Sequence, residues 1–323
     1  MKYGIVSVLK YKMKNGLLFI LFLLLGVLHL SAQETSEDYY IQGFLAYNKG
    51  NNELALKHYN HAIELKADYF EAYFARANVK SEMGFHQQAV YDYDKAIDIK
   101  PDFVKAYNYR GYEYYLLKEY RFAIQDYNKV IFLKADYPNA YVSRGDCKFM
   151  LNDLPGAEED YNKGLELKSD YAEAFFGKGN IYMKQKVYDK AVTEYTSALA
   201  INPKYHDAQN ARGKAYFAQK LYKEAEKDFS EAIKLKPDFA EAWYNRANTK
   251  SAADNKPEKG CKDWTKAAEL KFKAASDSMA VHCVEKKKEE KPEEKKEPAK
   301  EEKKEEKKEE KKEKKEDKAT KPE

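Results

Sequence analysis

Residues 68–78 read DYFEAYFARAN, and 34 residues later residues 102–112 read DFVKAYNYRGY. The phrase returns at the same interval as DYPNAYVSRGD from Asp136, DYAEAFFGKGN from Asp170, KYHDAQNARGK from Lys204 and DFAEAWYNRAN from Asp238. A second phrase alternates with it: ALKHYNHAIEL, AVYDYDKAIDI, AIQDYNKVIFL, AEEDYNKGLEL, AVTEYTSALAI and AEKDFSEAIKL. Self-similarity at a fixed period of this size marks a chain that stacks one small unit on copies of itself.

Each unit carries two amphipathic helices. In the second unit the first helix places Tyr73, Ala77 and Lys80 on one side, and the second places Ala89, Val90, Tyr93, Ala96 and Ile97 on one apolar stripe. Pro101, Pro203 and Pro237 close units where a helix must stop, and the Asp that follows is expected to cap the next helix. Small residues recur where two helices approach: Gly43, Ala77, Gly111, Gly145, Gly179, Gly213 and Ala247, then Ala55, Ala89, Ala123, Ala157, Ala191 and Ala225. A Leu there would push the helices apart.

With Phe70 counted as position 1 of the second unit, an aromatic stands at 4, Gly or Ala at 8, Ala at 20, Tyr or Phe at 24, Ala at 27 and Pro at 32. This register resembles the tetratricopeptide repeat (TPR) over residues 36–270. Gln209, Gly164, Val130, Ala67, Ala135 and Ser169 depart from it. The resemblance implies an all-α TPR-type α-solenoid, a right-handed superhelix of about seven helix-turn-helix repeats. The seventh unit has one extra residue in its turn and ends GCKDWTKAAEL, with Gly260 in the Ala slot and Trp264 in the aromatic slot. Residues 271–284 read as a C-terminal capping helix, which a solenoid needs because its last apolar face has no neighbour.

The two ends differ in kind. Gly16 to Ala32 is an apolar run behind Lys12 and Lys14, with a small-residue exit at Ser31-Ala32, and residues 1–32 read as a cleaved secretory signal peptide. An uncleaved anchor is the alternative reading of that run, and Met13 an alternative start. Residues 33–35 form a short leader, the solenoid with its cap covers 36–284, and 285–323 is a tail of 17 Lys and 16 acids. With nothing to bury, the tail is expected to stay solvated. The mature chain is expected outside the cytoplasm, periplasmic or on the outer surface, without stable membrane insertion once the signal is removed.

The chain as a whole is 43% hydrophobic, 35% charged and 14% aromatic, at a formal net charge of +4. Removing the two ends leaves a body with a net of −1, which offers no concentrated basic face for nucleic acid. Sites for chemistry are also sparse. His58 and His61 lie three apart on one helix without a third ligand, and no nucleotide, hydrolase or metalloprotease motif is present. No cofactor, metal site or enzyme activity is expected. Cys147 falls among small and apolar residues and reads as a buried thiol. Cys261 opens one helix and Cys283 ends the next, with the turn near Lys271-Phe272 almost midway, so antiparallel packing is expected to pair them as a disulfide. Two buried thiols are the alternative.

Members of the TPR family bind peptide or protein segments in the groove lined by first helices. At 100° per residue, positions 5, 9 and 12 fall together, opposite the packed side. Position 5 supplies Tyr40, Phe74, Phe176 and Tyr244, with Asn108 and Asn210. Position 9 supplies Phe44, Tyr112, Asn78, Asn180 and Asn248, and position 12 Tyr47, Tyr115, Phe149 and Phe217. Asp146 and Lys214 alone are charged among the 21 residues of these rows. Aromatic rings beside amides suit an extended peptide, although packing between neighbouring helices would use some of the same rings. No Lys occupies position 5, so the carboxylate clamp of TPR co-chaperones is not implied. The expected role is a scaffold for a protein or peptide partner, with an envelope spacer acting through the Lys/Glu tail as the alternative.

Overall fold

A computed structural model describes residues 34–283. The first unit pairs α1 (Ser36–Asn48) with α2 (Asn52–Leu65), the second α3 (Phe70–Glu82) with α4 (His86–Ile99), and the third α5 (Val104–Leu116) with α6 (Tyr120–Leu133). Next come α7 (Pro138–Met150) with α8 (Leu154–Leu167), α9 (Ala172–Lys184) with α10 (Tyr188–Ile201), and α11 (His206–Ala218) with α12 (Tyr222–Leu235). The seventh unit is α13 (Ala240–Asp254), a 3-10 turn at Pro257–Gly260 and α14 (Cys261–Glu269), and α15 (Lys273–His282) closes the array. Helices pack mainly on their chain neighbours, and the first helices of successive units touch along one side. That is the nearest-neighbour contact pattern of a solenoid.

Within each unit one aromatic ring fills the space that a small residue leaves. Tyr59, Tyr93, Tyr127, Tyr161, Tyr195 and Phe229 are the largest fully buried side chains. A Cβ built on Gly179 would lie 2.4 Å from the Tyr195 ring, and one on Gly43 would lie 2.7 Å from Tyr59. Each such ring is worth about 1.5–3 kcal/mol of burial, which explains why positions 8 and 24 recur together.

The expected Asp caps do not form. The residues before α3, α5, α7, α9, α11 and α13 are Tyr69, Phe103, Tyr137, Tyr171, Tyr205 and Phe239, none with a side-chain capping bond. Asp102 instead offers its backbone oxygen to Val104 N. The aromatic takes the boundary because its ring tucks into the junction between units. A lysine three residues upstream lies over it in five units, as Lys66 does over Tyr69 (4.6 Å) and Lys168 over Tyr171 (4.7 Å). Ring burial outweighs the ~1 kcal/mol of a side-chain cap. True side-chain caps occur at Thr35, Asn51 and Asp153.

The turn inside each unit ends its first helix with a left-handed residue. At Gly84 (φ 79°) the Phe85 N–H reaches Lys80 O at 2.8 Å, a Schellman closure. Lys118, Lys186 and Lys220 hold the equivalent place at φ 61–62°. A side chain in that conformation costs about 1–2 kcal/mol, offset in part by the greater unfolded-state entropy of glycine. Lys118→Gly, Lys186→Gly and Lys220→Gly are each expected to stabilise by about 0.5–1 kcal/mol. The triple variant should therefore melt several degrees higher; an unchanged or lower melting temperature would show that the turns are not strained.

Candidate functional site

Of the predicted docking residues, Tyr112 is the most open: it is 50% exposed on α5, as is Phe44 on α1. The rings at position 5 sit deeper. Phe74 lies 4.9 Å from Phe103 and 5.7 Å from Tyr93, centroid to centroid. Phe176 is held between Tyr195 and Tyr205, Tyr40 between Tyr59 and Tyr69, and Tyr244 packs on Phe272. These rings stitch one unit to the next and show only part of themselves to the groove. Asn210 is buried and accepts a bond from Asn245, and the Asn108 side-chain oxygen is buried without a partner.

The amides at position 9 have a structural partner as well. Asn78 accepts from the Tyr93 hydroxyl at 2.6 Å, Asn180 from Tyr195 at 2.7 Å and Asn248 from the Trp264 indole N–H at 2.9 Å. Each oxygen is thereby engaged, which leaves the amide N–H groups as the donors available to a bound backbone. At position 12, Tyr115 packs on Tyr120 and Phe217 on Tyr222, while the Tyr47 hydroxyl donates to Glu82.

Two hollows open on this face. One, of about 250 Å³, is walled by Tyr115, Phe149, Phe176 and Tyr205, with Asp146, Glu173 and Asn180 as its polar groups. The other, of about 230 Å³, lies towards the C-terminal end between Met183, Phe217, Phe229, Lys214 and Asn248. The structure thus gathers Tyr115, Phe149, Phe176 and Asn180 into one depression and places Asn248 in the next. Asp146 accepts from the Tyr161 hydroxyl at 2.7 Å. Burial pushes its carboxyl up to about 6, with the Tyr161 bond opposing and the Glu173 charge adding to the rise. Because this folded-state value exceeds the ordinary 3.8, the group adds stability as pH falls from about 6 towards 3.8. Ionised at neutral pH, it costs on the order of 1–3 kcal/mol.

A second arrangement repeats beside the groove. Arg76, Arg110, Arg144, Arg212 and Arg246 each fork onto a buried Asp of the following helix: Asp92, Asp126, Asp160, Asp228 and Asp263. The remaining guanidinium nitrogen reaches back to the previous unit, as from Arg110 to Asp94 at 2.6 Å. Lys178 with Glu194 replaces the pair in the fifth unit. Lys250 adds a second cation to Asp263 at 2.9 Å; although burial opposes ionisation, Arg246 and Lys250 hold that carboxyl below the usual range. In the third unit Tyr114 stands where Lys250 does, and burial keeps Asp126 raised against the pull of Arg110. The sequence carries this ladder as Arg and Asp 16 apart in four units and 17 apart in the seventh, whose turn has one extra residue.

At the C-terminal end Cys261 and Cys283 are bonded, with Cα atoms 5.5 Å apart. The cap core holds Trp264, Ala267 and Ala275, and Trp264 stacks on His282 at 5.4 Å. Cys147 is a buried free thiol, pushed up to about 12 by its surroundings, above all by burial. Among the described residues no helix is long and apolar enough to cross a membrane.

The helix pairs, their 34-residue register and the groove they line define a helical-repeat protein. Comparison with known families agrees: a TPR repeat family model matches residues 45–84, 145–186, 179–220 and 213–251, and a tetratricopeptide repeat model matches 70–103. The chain belongs to the tetratricopeptide-repeat family. It is similar in structure to a tetratricopeptide repeat protein from Parabacteroides merdae, at 18% identity and a TM-score of 0.65, over 77% of this chain and 99% of that one. It also resembles the APC/C hetero-tetramer Cut9-Hcn1, at 18% identity and a TM-score of 0.58, over 71% of this chain and 45% of that one. A third likeness is to MamA (41-end) from Desulfovibrio magneticus RS-1, at 17% identity and a TM-score of 0.50, over 53% and 96%. Identities this low bear on the fold alone. No protein of curated function matches the sequence.

Proposed function

We propose that the chain is an exported scaffold that binds a peptide or protein segment along the groove of its first helices. TPR proteins generally mediate protein–protein interaction. The observation that carries the reading is the pair of ring-walled hollows on that face, with half-exposed Tyr112 and Phe44 on the same row. Rings that are partly fixed by their neighbours lose little freedom when they cover a partner side chain, and the amide N–H groups beside them suit its backbone. Export rests on the apolar run behind Lys12 and Lys14, which lies outside the described residues, as does the Lys/Glu tail.

A pull-down from envelope extract tests the reading. Tyr112→Ala with Tyr115→Ala is expected to weaken partner capture at least tenfold while helical content holds. Since Tyr115 packs on Tyr120, while among the described residues Tyr112 stacks on no ring and makes no side-chain hydrogen bond, Tyr112→Ala alone serves as the packing control. Unchanged capture by the folded double variant would move the site elsewhere, and loss on deleting residues 285–323 would favour the tail. In the same extract the native chain should begin near Gln33; an intact Met1 or Met13 would refute signal cleavage.

A further inference from the structure

We propose that the hollow between the first helices of the third, fourth and fifth units takes a cationic side chain, lysine or arginine, from the bound segment, with the Asp146 carboxylate as its counter-charge. This rests on the groove reading and names the partner chemistry of one of its subsites.

The charge on Asp146 is surplus to the fold. Asn78 and Asn180 occupy the same repeat position and accept the same tyrosine hydroxyl at 2.6 and 2.7 Å, the distance Asp146 makes to Tyr161 being 2.7 Å. An amide therefore does the structural work, and a half-buried carboxylate does it at a desolvation cost. Asp146 is the one acid among the 21 residues at positions 5, 9 and 12. A second carboxylate, Glu173, lines the same depression, and no cationic group lowers the Asp146 carboxyl. Among the described residues neither carboxylate is in an ion pair, and both line the same concave space.

The walls suit the same guest. Tyr115, Phe149, Phe176 and Tyr205 present ring surface to the cavity, and a cation over an aromatic face is attracted by the ring quadrupole. The chain's own Lys184 already shows this attraction on one of these rings, its ammonium 5.0 Å from the centroid of Phe149. The space of about 250 Å³ is below the roughly 300–1,000 Å³ of drug-sized pockets, a size for one long side chain. The neighbouring hollow carries Lys214 instead, which is paired with Glu241 at 3.0 Å, so the negative subsite has a defined place along the groove.

The titratable groups around Asp146 are Tyr115 on α5, Tyr127 on α6, Cys147 beside it on α7, Tyr161 on α8, Tyr171 and Glu173 at the start of α9 and Tyr205 just before α11, with Lys184 against the Phe149 ring. With its carboxyl pushed up to about 6, Asp146 loses its charge within a mild acid range. Cation binding should weaken as pH falls from 7.5 to 5, and Asp146→Asn should remove that dependence.

The test is selection of displayed random decapeptides on the intact chain and on Asp146→Asn at pH 7.5. The expected result is enrichment of Lys or Arg at one peptide position on the wild type and its absence on the variant. A selected peptide should lose at least tenfold in affinity on Asp146→Asn, and as much when its basic residue is replaced by norleucine. The second measurement uses the unaltered protein and does not depend on the variant folding. Peptides that lose binding on Tyr112→Ala yet show no basic preference would overturn the cationic subsite and leave the groove standing. Selected peptides indifferent to every groove substitution would overturn both.

Discussion

Replacing Arg110 by Ala is expected to destabilise the third unit by about 3–5 kcal/mol, because it strands a buried carboxylate. Asp126 is only 3% exposed and receives both forks of Arg110, at 2.5 and 2.8 Å. Among the described residues no second cation pairs with it, in contrast to Asp263, which has Lys250. Burial already pushes the Asp126 carboxyl up, and losing Arg110 removes the groups that oppose the rise. An acid whose folded-state value is raised gains stability as pH falls through that value, so the variant should recover part of its loss in acid. Arg110→Met with Asp126→Leu should restore most of the stability, since an apolar pair needs no counter-charge. Thermal melts from pH 7.5 to 5 check the sign, and hydrogen exchange should localise the damage to α4–α6. An Arg110→Ala protein as stable as the wild type would mean that the ladder is ornamental.

The second large effect lies at the other end. Reducing the Cys261–Cys283 bond, or introducing Cys283→Ser, is expected to cost the cap roughly 3 kcal/mol by the loop-closure argument, given a separation of 22 residues. The loss should appear in α14 and α15 and in the fluorescence of Trp264, whose ring stacks on His282 beside the bond. Exchange protection in the first units should not change, because a solenoid passes instability mainly to its neighbours. Thiol titration of the unreduced, denatured chain should find one free cysteine, Cys147. Three would contradict the bond, as would a cap whose stability ignores reductant.

The period of 34 and the pairing of small residues with rings were legible because both are packing constraints that every unit must satisfy. Gly43 against Tyr59 and Gly179 against Tyr195 are two copies of one contact. The expected Asp caps do not form because a local rule about hydrogen bonds meets a longer-range demand, the packing of Tyr69, Phe103 and their equivalents at unit junctions. The groove was legible in outline only. Helical angles place Phe74 and Tyr112 on one face, yet they do not tell that Phe74 is wedged between Phe103 and Tyr93 while Tyr112 stands clear. That difference depends on the neighbouring unit, which the spacing of a single helix does not describe. The Arg–Asp ladder was present in the sequence as a spacing of 16, and of 17 in the seventh unit, visible only when the two helix phrases are compared together.

Photo-crosslinking tests the central claim most directly. A photoreactive phenylalanine is placed at position 112, on the first-helix face, or at position 132, where Phe132 stands 80% exposed near the end of α6. Each protein is irradiated with a decapeptide selected on the intact chain. Docking along the first helices predicts an adduct from position 112 and none from position 132. Capture from position 132 with none from position 112 would contradict it.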